Sequence, residues 1–305
     1  MLTKNSEYYD QVELLLKIIP HVMKGEHFAL KGGTAINLFL RNMPRLSIDI
    51  DLTYIILESR QETLRYINDE LPKIINQVEQ YFPEVRGFPE RTEHGDIVRL
   101  IFYNQKVQIK VDVNHTLRGY VQPCVDLDLC KNAQEEFKTY ASIRCMSFED
   151  LYAGKICAAL DRQHPRDIFD VKILLDNEGY TETLRKTFIL YLISNNRPIS
   201  ESLNPIRRDI INAYSDFQGM AFWPIDYEEL IDTRENLIRL VNESLTDKER
   251  LFLISLKKGD PDWSLVAVPN IAEYPSVRWK LLNIQKMSND KRHEALRKLE
   301  KVLLV

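Results

Sequence analysis

The chain has 305 residues, of which 28% are charged and 44% hydrophobic, and this length accommodates one large domain or two of ordinary size. Its 41 basic and 45 acidic residues give a formal net charge of −4, which excludes a globally basic nucleic-acid coat but not a local basic groove. The four cysteines form no CxxC pair, so we expect reduced thiols. Without an apolar signal core or a run of about 20 apolar residues, we expect a soluble cytoplasmic protein that has no membrane partner.

The first half of the chain mixes helical and strand patterns. Apolar residues recur at helical spacing between Tyr9 and Met23, which predicts a helix. The apolar stretch Phe28–Leu30 leads into Lys-Gly-Gly-Thr at 31–34, after which apolar residues again follow helical spacing. This order predicts a strand, a tight glycine turn and a short helix, and residues 60–80 are expected to form another helix.

An acidic strand is predicted at residues 46–52, where polar and apolar residues alternate strictly. Ser47, Asp49 and Asp51 share one face, so the two carboxylates project together about 6 to 7 Å apart. Adjacent carboxylates repel each other unless a cation neutralises them. Mg²⁺ suits this position because it prefers oxygen ligands and is often shared between carboxylates and phosphates.

Ile97–Tyr103 and Val107–Val113 are predicted to form two further strands joined by a short turn. Asp112 lies on the polar face of the second strand. Three acids on neighbouring strands can hold two metal ions, one that activates a hydroxyl and one that neutralises a triphosphate. The alternative is a strand whose polar face is merely exposed to water.

The glycine turn at Gly32 and Gly33 lies between the first strand and a helix. Glycines let the backbone approach a phosphate closely, and Thr34 adds a hydroxyl donor. The turn matches neither the P-loop pattern nor the dinucleotide-binding pattern. Taken alone, a purely structural turn remains the alternative.

From Ser147 onward the pattern becomes helical. Ser147 with an acid three residues later forms a capping box, and Pro165 suits the first turn of the next helix. Residues 181–258 are mostly helical, 263–275 carry strand or loop cues, and 279–305 form an amphipathic helix with a break at 288–290. We therefore predict an α/β (α+β) domain with a small mixed sheet over residues 1–145 and a mainly helical domain over residues 146–305, with the active site in the cleft between them.

Four segments together resemble the AbiEii/AbiGii toxin family of the nucleotidyltransferase superfamily. They are FALKGGTAINL at 28–38, RLSIDIDL at 45–52, LYAGKICAALDR at 151–162 and HPRDIFDV at 164–171. The resemblance implies a nucleotidyltransferase-like fold and Mg²⁺-dependent transfer of a nucleotide from an NTP, with Mn²⁺ as a substitute ion and pyrophosphate as product. In some members the acceptor is RNA, notably the acceptor end of tRNA. It also implies a toxin of a toxin–antitoxin or phage-defence pair, with an antitoxin encoded by a neighbouring gene.

The site residues that follow from the motifs and the resemblance fall into three groups. The predicted metal ligands are Asp49, Asp51 and Asp112, which are also catalytic. The further catalytic residues are Lys155 and Asp167. The predicted substrate-binding residues are Gly32, Gly33, Thr34, Ser47, Arg162 and Arg166.

Lys155 and its neighbours allow two interpretations. Lys155 lies on a predicted helix of small and apolar residues, where a charged group needs a partner or water. In one interpretation Lys155 contacts the triphosphate, Arg162 or Arg166 supplies a forked phosphate contact, and Asp167 orients one of them or acts in proton transfer. In the other, a salt-bridge network such as Lys155 with Asp167 ties two helices together.

Alternatives to an RNA-modifying enzyme also stay open. The chain could be a catalytically silent protein of this fold that binds nucleotide or RNA, or an enzyme that nucleotidylates a protein or a small molecule. Residues 279–301 carry a local charge of +4, which could bind an RNA backbone, although a solvated helix face is the more common situation.

Overall fold

The computed structural model of the chain describes residues 6–304 and has the mixed α/β fold that the sequence predicts. Its contacts group into two compact units. One runs to Leu151 and includes Gln218–Pro224, and the other comprises Tyr152–Phe217 and the residues from Ile225 onward. Within residues 6–304, none of the helices combines the length and the apolar character that crossing a lipid bilayer requires.

The strands of the first unit form one mixed sheet. In the described part of the chain they are β1 Phe28–Lys31, β2 Asp49–Tyr54, β3 Arg86–Arg91, β4 Ile97–Tyr103, β5 Gln108–Asn114, β6 Val125–Asp128 and β7 Ser142–Cys145. Their order across the sheet is β3-β4-β5-β2-β1-β7-β6. β2 runs parallel to β5 and β1 parallel to β7, while the other neighbours are antiparallel.

The helices surround this sheet in the first unit and make up most of the second. The first four are α1 Glu7–Val22, α2 Gly32–Thr34 (continued by a π-helix, Ala35–Leu40), α3 Arg60–Tyr81 and α4 Lys131–Phe137. The others are α5 Phe148–Arg162, α6 Pro165–Asn177, α7 Glu182–Ser194, α8 Ile199–Leu203, α9 Ile211–Gln218, α10 Tyr227–Glu243, α11 Asp247–Lys258, α12 Pro275–Gln285 and α13 Asn289–Leu303.

One face of the sheet packs against α1 and α3. The residues that point to these helices from β2, β4 and β5 are almost completely buried: Ile50, Leu52, Leu100, Phe102, Ile109 and Val111. Successive residues of a strand point to opposite faces. The residues between them, including Asp49, Asp51 and Asp112, therefore lie on the face directed away from the helices.

The strand predicted at 46–52 begins at Asp49 and extends to Tyr54. The residues just before it pair with a different segment. Leu46 N donates to the Met220 carbonyl at 2.8 Å, and Arg45 forms an isolated bridge with Ala221. This partner is distant in sequence, so the local alternation of residues could not reveal where the strand begins.

β3, β6, β7 and α4 are not predicted from the sequence. β3 contains Gly87 and Pro89 among charged residues, and β6 and β7 are only four residues long. Such segments lack an apolar run of their own. They become strands because neighbouring strands offer them backbone partners.

The predicted helical second half is confirmed. Asp150 N donates to Ser147 Oγ at 3.1 Å at the start of α5, and Pro165 occupies the first turn of α6. The break predicted at 288–290 separates α12 from α13. Residues 263–275 contain two 3₁₀ turns in an otherwise irregular segment.

Candidate active site

The two glycines follow β1 directly and are the first residues of α2, where the sequence predicts a glycine turn. Gly32 has a φ of +75°, a backbone region that is costly for residues with a Cβ. A Cβ on Gly32 would collide with the Asp51 carboxylate, and one on Gly33 would lie 2.8 Å from Arg45 Nη2 and from Ser47 Oγ. The two glycines therefore allow the turn to lie directly against the acidic strand.

Replacing Gly32 tests this close approach. Gly95 also has a positive φ, +88°, but a Cβ there would meet no atom within 4 Å. Gly95→Ala should therefore lose only the backbone term of about 1 to 2 kcal/mol. Gly32→Ala should lose about 1 to 3 kcal/mol more, because the new methyl group must displace the Asp51 carboxylate. Denaturant unfolding measures both losses, and equal losses would show that the turn does not depend on contact with Asp51.

The Thr34 hydroxyl connects the turn to the start of β2 and to the hydroxyl of Ser47. Thr34 Oγ1 donates to the backbone carbonyl of Asp49 at 2.5 Å and lies 3.0 Å from Ser47 Oγ. Both side chains are buried. The structure thus gives Thr34 and Ser47 a positioning role, while their contact with a phosphate stays a prediction.

Five charged residues form a row across five adjacent strands. Strand register pairs Lys31 of β1 with Asp51, Asp51 with Asp112 of β5, Asp112 with Arg99 of β4, and Arg99 with Glu90 of β3. Arg99 Nε donates to Asp112 Oδ1 at 2.5 Å, and Arg99 Nη1 donates to Glu90 Oε2 at 3.1 Å. The two carboxylates at the centre repel each other, and the cations beside them reduce that cost.

Lys31 and Arg99 leave the carboxylates of Asp51 and Asp112 accessible from a cavity. A cavity of about 420 Å³ opens beside them and is lined by Lys31, Asp51, Val98, Asp112, Val113, Asn114 and His115. Burial lowers the pKa of Lys31, and the carboxylates of Asp51 and Asp112 only partly oppose this shift. Burial also lowers the pKa of His115, whose Nε2 donates to the Ile97 carbonyl at 2.7 Å. The cavity can therefore admit a ligand next to both carboxylates.

The donor set fits a magnesium ion that arrives with a nucleotide. Asp51 and Asp112 offer hard oxygen donors side by side, and Asp49 shares their face two residues before Asp51. Among residues 6–304, no three His, Cys, Asp or Glu side chains lie close enough together to form a complete metal site. Mg²⁺ commonly takes only one or two carboxylates from the protein, with phosphate and water oxygens completing its shell. The predicted three-acid ligand set stays a prediction.

In the second unit, the predicted basic residues form a buried ionic network. Lys155 Nζ lies 2.8 Å from Asp167 Oδ1 and 3.0 Å from Asp170 Oδ2. Arg162 donates to both Asp167 oxygens, from Nε at 2.5 Å and from Nη2 at 2.9 Å. The Lys155 side chain is only 6% exposed, whereas that of Arg162 is 55% exposed. Asp167 therefore orients both cations, and Arg162 is the member of the network that solvent reaches.

The charge state of Asp167 follows from these partners. Burial alone would raise its pKa, but Lys155 and Arg162 together hold the pKa of Asp167 well below its usual range. Arg166 is partly exposed in the first turn of α6, where its backbone N donates to His164 Nδ1 at 3.1 Å. The network ties α5 to α6, as one of the two sequence interpretations expects, and a nucleotide contact by these residues stays a prediction.

Sequence reasoning did not assign a role to three residues of the charged row. Lys31 belongs to the glycine motif, whereas Arg99 and Glu90 belong to no motif. Arg99 occupies a polar position on a strongly apolar predicted strand, Ile97–Tyr103, and that was the available signal. The pairing of Arg99 with Asp112 depends on the strand register, which no local pattern specifies.

Comparisons with known proteins agree with these features. A sequence model of the family described as "Nucleotidyl transferase AbiEii toxin, Type IV TA system" matches residues 13–282. Among solved structures, the nucleotidyltransferase toxin MenT4 of Mycobacterium tuberculosis H37Rv is similar, with a TM-score of 0.59 and 13% sequence identity over 97% of this chain and 95% of that one. At this identity, the likeness shows the fold alone. A search of curated proteins gave no significant match.

Proposed function

Because the chain belongs to the AbiEii family of nucleotidyltransferase toxins of type IV toxin–antitoxin systems, we propose that it transfers a nucleoside monophosphate from an NTP to an RNA acceptor such as tRNA. Pyrophosphate is the second product. One observation carries the proposal: the glycine turn lies directly against the Asp51 carboxylate, with Asp112 beside it. This arrangement brings backbone that can approach a phosphate next to two carboxylates that a divalent cation can share.

The proposed reaction is an in-line displacement at the α-phosphorus. An acceptor hydroxyl oxygen forms the new P–O bond, the bond to pyrophosphate breaks, and the hydroxyl proton passes to solvent water. Asp112 assists the loss of this proton. Gly32, Gly33 and Thr34 form the turn that holds the triphosphate, and Ser47 lies beside this turn.

Asp49, Asp51 and Asp112 are the residues that would hold Mg²⁺ or Mn²⁺. The ion, when bound, supplies positive charge that offsets the charge developing on the phosphate oxygens. Lys31 lies beside Asp51, and Arg99 beside Asp112. Their positive charges reduce the repulsion between the two carboxylates when no nucleotide is bound.

We propose that Arg162 and Arg166 bind phosphate. The exposure of Arg162 supports this choice, because a guanidinium held by Asp167 is oriented yet still reachable. Lys155 and Asp167 serve this role through the ionic network that holds Arg162 in place. The partner is an antitoxin encoded by a neighbouring gene, and the reaction takes place in the cytoplasm, where NTPs and RNA are available.

Labelled nucleotides test the proposed function directly. The protein is incubated with Mg²⁺, total cellular RNA and each α-labelled NTP in turn, and the products are separated on a denaturing gel. We expect label on RNA and release of pyrophosphate in equal amount. Label on protein or on a small molecule would assign a different acceptor, and nucleotide binding by calorimetry without any incorporation would identify a silent member of the fold.

A further inference from the structure

Two aromatic rings are exposed on the sheet of the first unit. Phe88 on β3 and Tyr103 on β4 are 44% and 43% exposed, and their ring centroids lie 6.1 Å apart in an edge-to-face arrangement. Leaving large rings in contact with water forgoes the free energy of burying them. A pair of neighbouring exposed rings is therefore a candidate surface for a partner.

These rings lie on the same face of the sheet as the carboxylates. Strand register places Phe88 opposite Ile101, Ile101 opposite Lys110, and Lys110 opposite Asp49. Residues paired in register point to the same side, and Tyr103 shares the side of Ile101 because it lies two positions further along β4. With strands about 4.8 Å apart, the Phe88 backbone lies roughly 14 Å across the sheet from that of Asp49.

The order of the strands decides from which side an acceptor must come. The glycine turn follows β1 on one side of Asp51, whereas Asp112 belongs to β5 on the other side. In phosphoryl transfer the attacking and leaving oxygens are roughly in line. If the leaving pyrophosphate lies at the glycine turn, the attacking hydroxyl arrives over β5, and the chain attached to it extends over β4 and β3.

We infer that Phe88, Tyr103 and Lys110 form an acceptor track that binds the single-stranded end of an RNA and leads its terminal hydroxyl to Asp112. The inference rests on the proposed function and adds where the acceptor binds. Bases stack on exposed aromatic rings irrespective of their sequence, and Lys110 lies where a backbone phosphate would pass between the rings and Asp49. Arg86, opposite Tyr103, adds a guanidinium that donates to the carbonyls of Pro83 and Val85 at 2.8 and 3.0 Å.

The edge of the sheet favours RNA over an added protein strand. β3, which carries Phe88, is an edge strand of the sheet. A protein partner could extend the sheet at this edge through backbone hydrogen bonds. Pro89 lies in the middle of β3 and has no backbone N–H to donate. Proline on an edge strand opposes such pairing, while it leaves the rings of the open face accessible.

A binding measurement tests the track independently of catalysis. The probe is a fluorescein-labelled, single-stranded oligoribonucleotide of random sequence, and its affinity for the full-length protein is followed by fluorescence anisotropy. We expect Phe88→Ala and Tyr103→Ala each to weaken binding by about tenfold or more. Lys110→Ala should weaken it with a smaller dependence on salt, because one phosphate contact is lost. Tyr140→Ala is the matched control and should bind RNA as the unchanged protein does. Tyr140 is an exposed tyrosine two residues before β7, and β7 lies toward the opposite end of the strand order from β3.

Incorporation assays on the same variants separate the track from the proposed function. We expect the KM for RNA to rise in the Phe88→Ala/Tyr103→Ala variant while the affinity for NTP stays unchanged. If the unchanged protein labels no RNA yet binds the oligoribonucleotide through both rings, the proposed function fails and the track stands. If the double variant binds and labels RNA normally, the track is wrong and the function stands.

Leucine variants guard against loss of folding as the cause. Phe88→Leu and Tyr103→Leu keep apolar bulk at both positions but remove the stacking surface, and the unfolding midpoint reports whether each variant is intact. Folded leucine variants with weakened RNA binding support base stacking. Unimpaired RNA binding by these variants would overturn base stacking on these two rings.

Discussion

Asp51→Asn should reduce nucleotide transfer by at least about a thousandfold while leaving the protein folded. The substitution keeps the shape of the side chain but removes the negative charge that the glycine turn approaches directly. It also leaves Asp112 as the only acid of the central pair in the charged row. A single carboxylate binds a divalent cation more weakly than two, and positive charge beside the triphosphate is what the reaction requires.

Asp126→Asn is the matched control for this variant. Asp126 lies on β6 of the same sheet, is exposed, and faces Arg144 in the strand register. The control should retain full transfer, and both variants should unfold close to the midpoint of the unchanged protein. Because Asp51→Asn removes repulsion between neighbouring carboxylates, its stability should not fall by much. Normal incorporation of label by a folded Asp51→Asn protein would exclude the proposed metal role.

The parts of the site that are close in sequence were predictable. Gly32 and Gly33 are adjacent, and Asp49 and Asp51 lie on a strand whose alternation is visible without any partner. The helix that begins at Ser147 and the next one at Pro165 also carry their own start signals. In each case the chemistry that specifies the structure lies within a few residues of the position that it controls.

The parts that depend on strand register were not predictable. Arg99 contacts Asp112 because β4 and β5 pair in one register, and a shift of β4 by one residue would turn Arg99 to the face opposite Asp112. The start of β2 depends in the same way on a bridge between Arg45 and Ala221, far apart in the chain. The sequence pattern therefore predicts which acidic residues share a face of a strand, but not which cationic residues lie beside them on the neighbouring strands.

The buried network of α5 and α6 has the largest expected effect on stability. Lys155→Ala leaves the carboxylates of Asp167 and Asp170, both fully buried, with one fewer cation between them. Breaking a buried pair in this way typically costs about 3 to 5 kcal/mol, because an uncompensated charge remains in a region of low dielectric. Denaturant unfolding should show this loss, whereas Lys172→Ala, which breaks an exposed pair with Asp176 on α6, should cost less than about 1 kcal/mol.

The dependence of stability on pH gives a second test of the same network. The pKa of Asp167 is lower in the folded protein than its unfolded value of about 3.9, so the folded state holds its proton less readily. The stabilisation by Asp167 is therefore complete above about pH 4 and is lost as the pH falls further toward the folded pKa. In Lys155→Ala one of the two cations that lower this pKa is gone, so the acid-dependent loss of stability should shrink relative to the unchanged protein. An identical acid dependence in both proteins would mean that Lys155 does not set the charge state of Asp167.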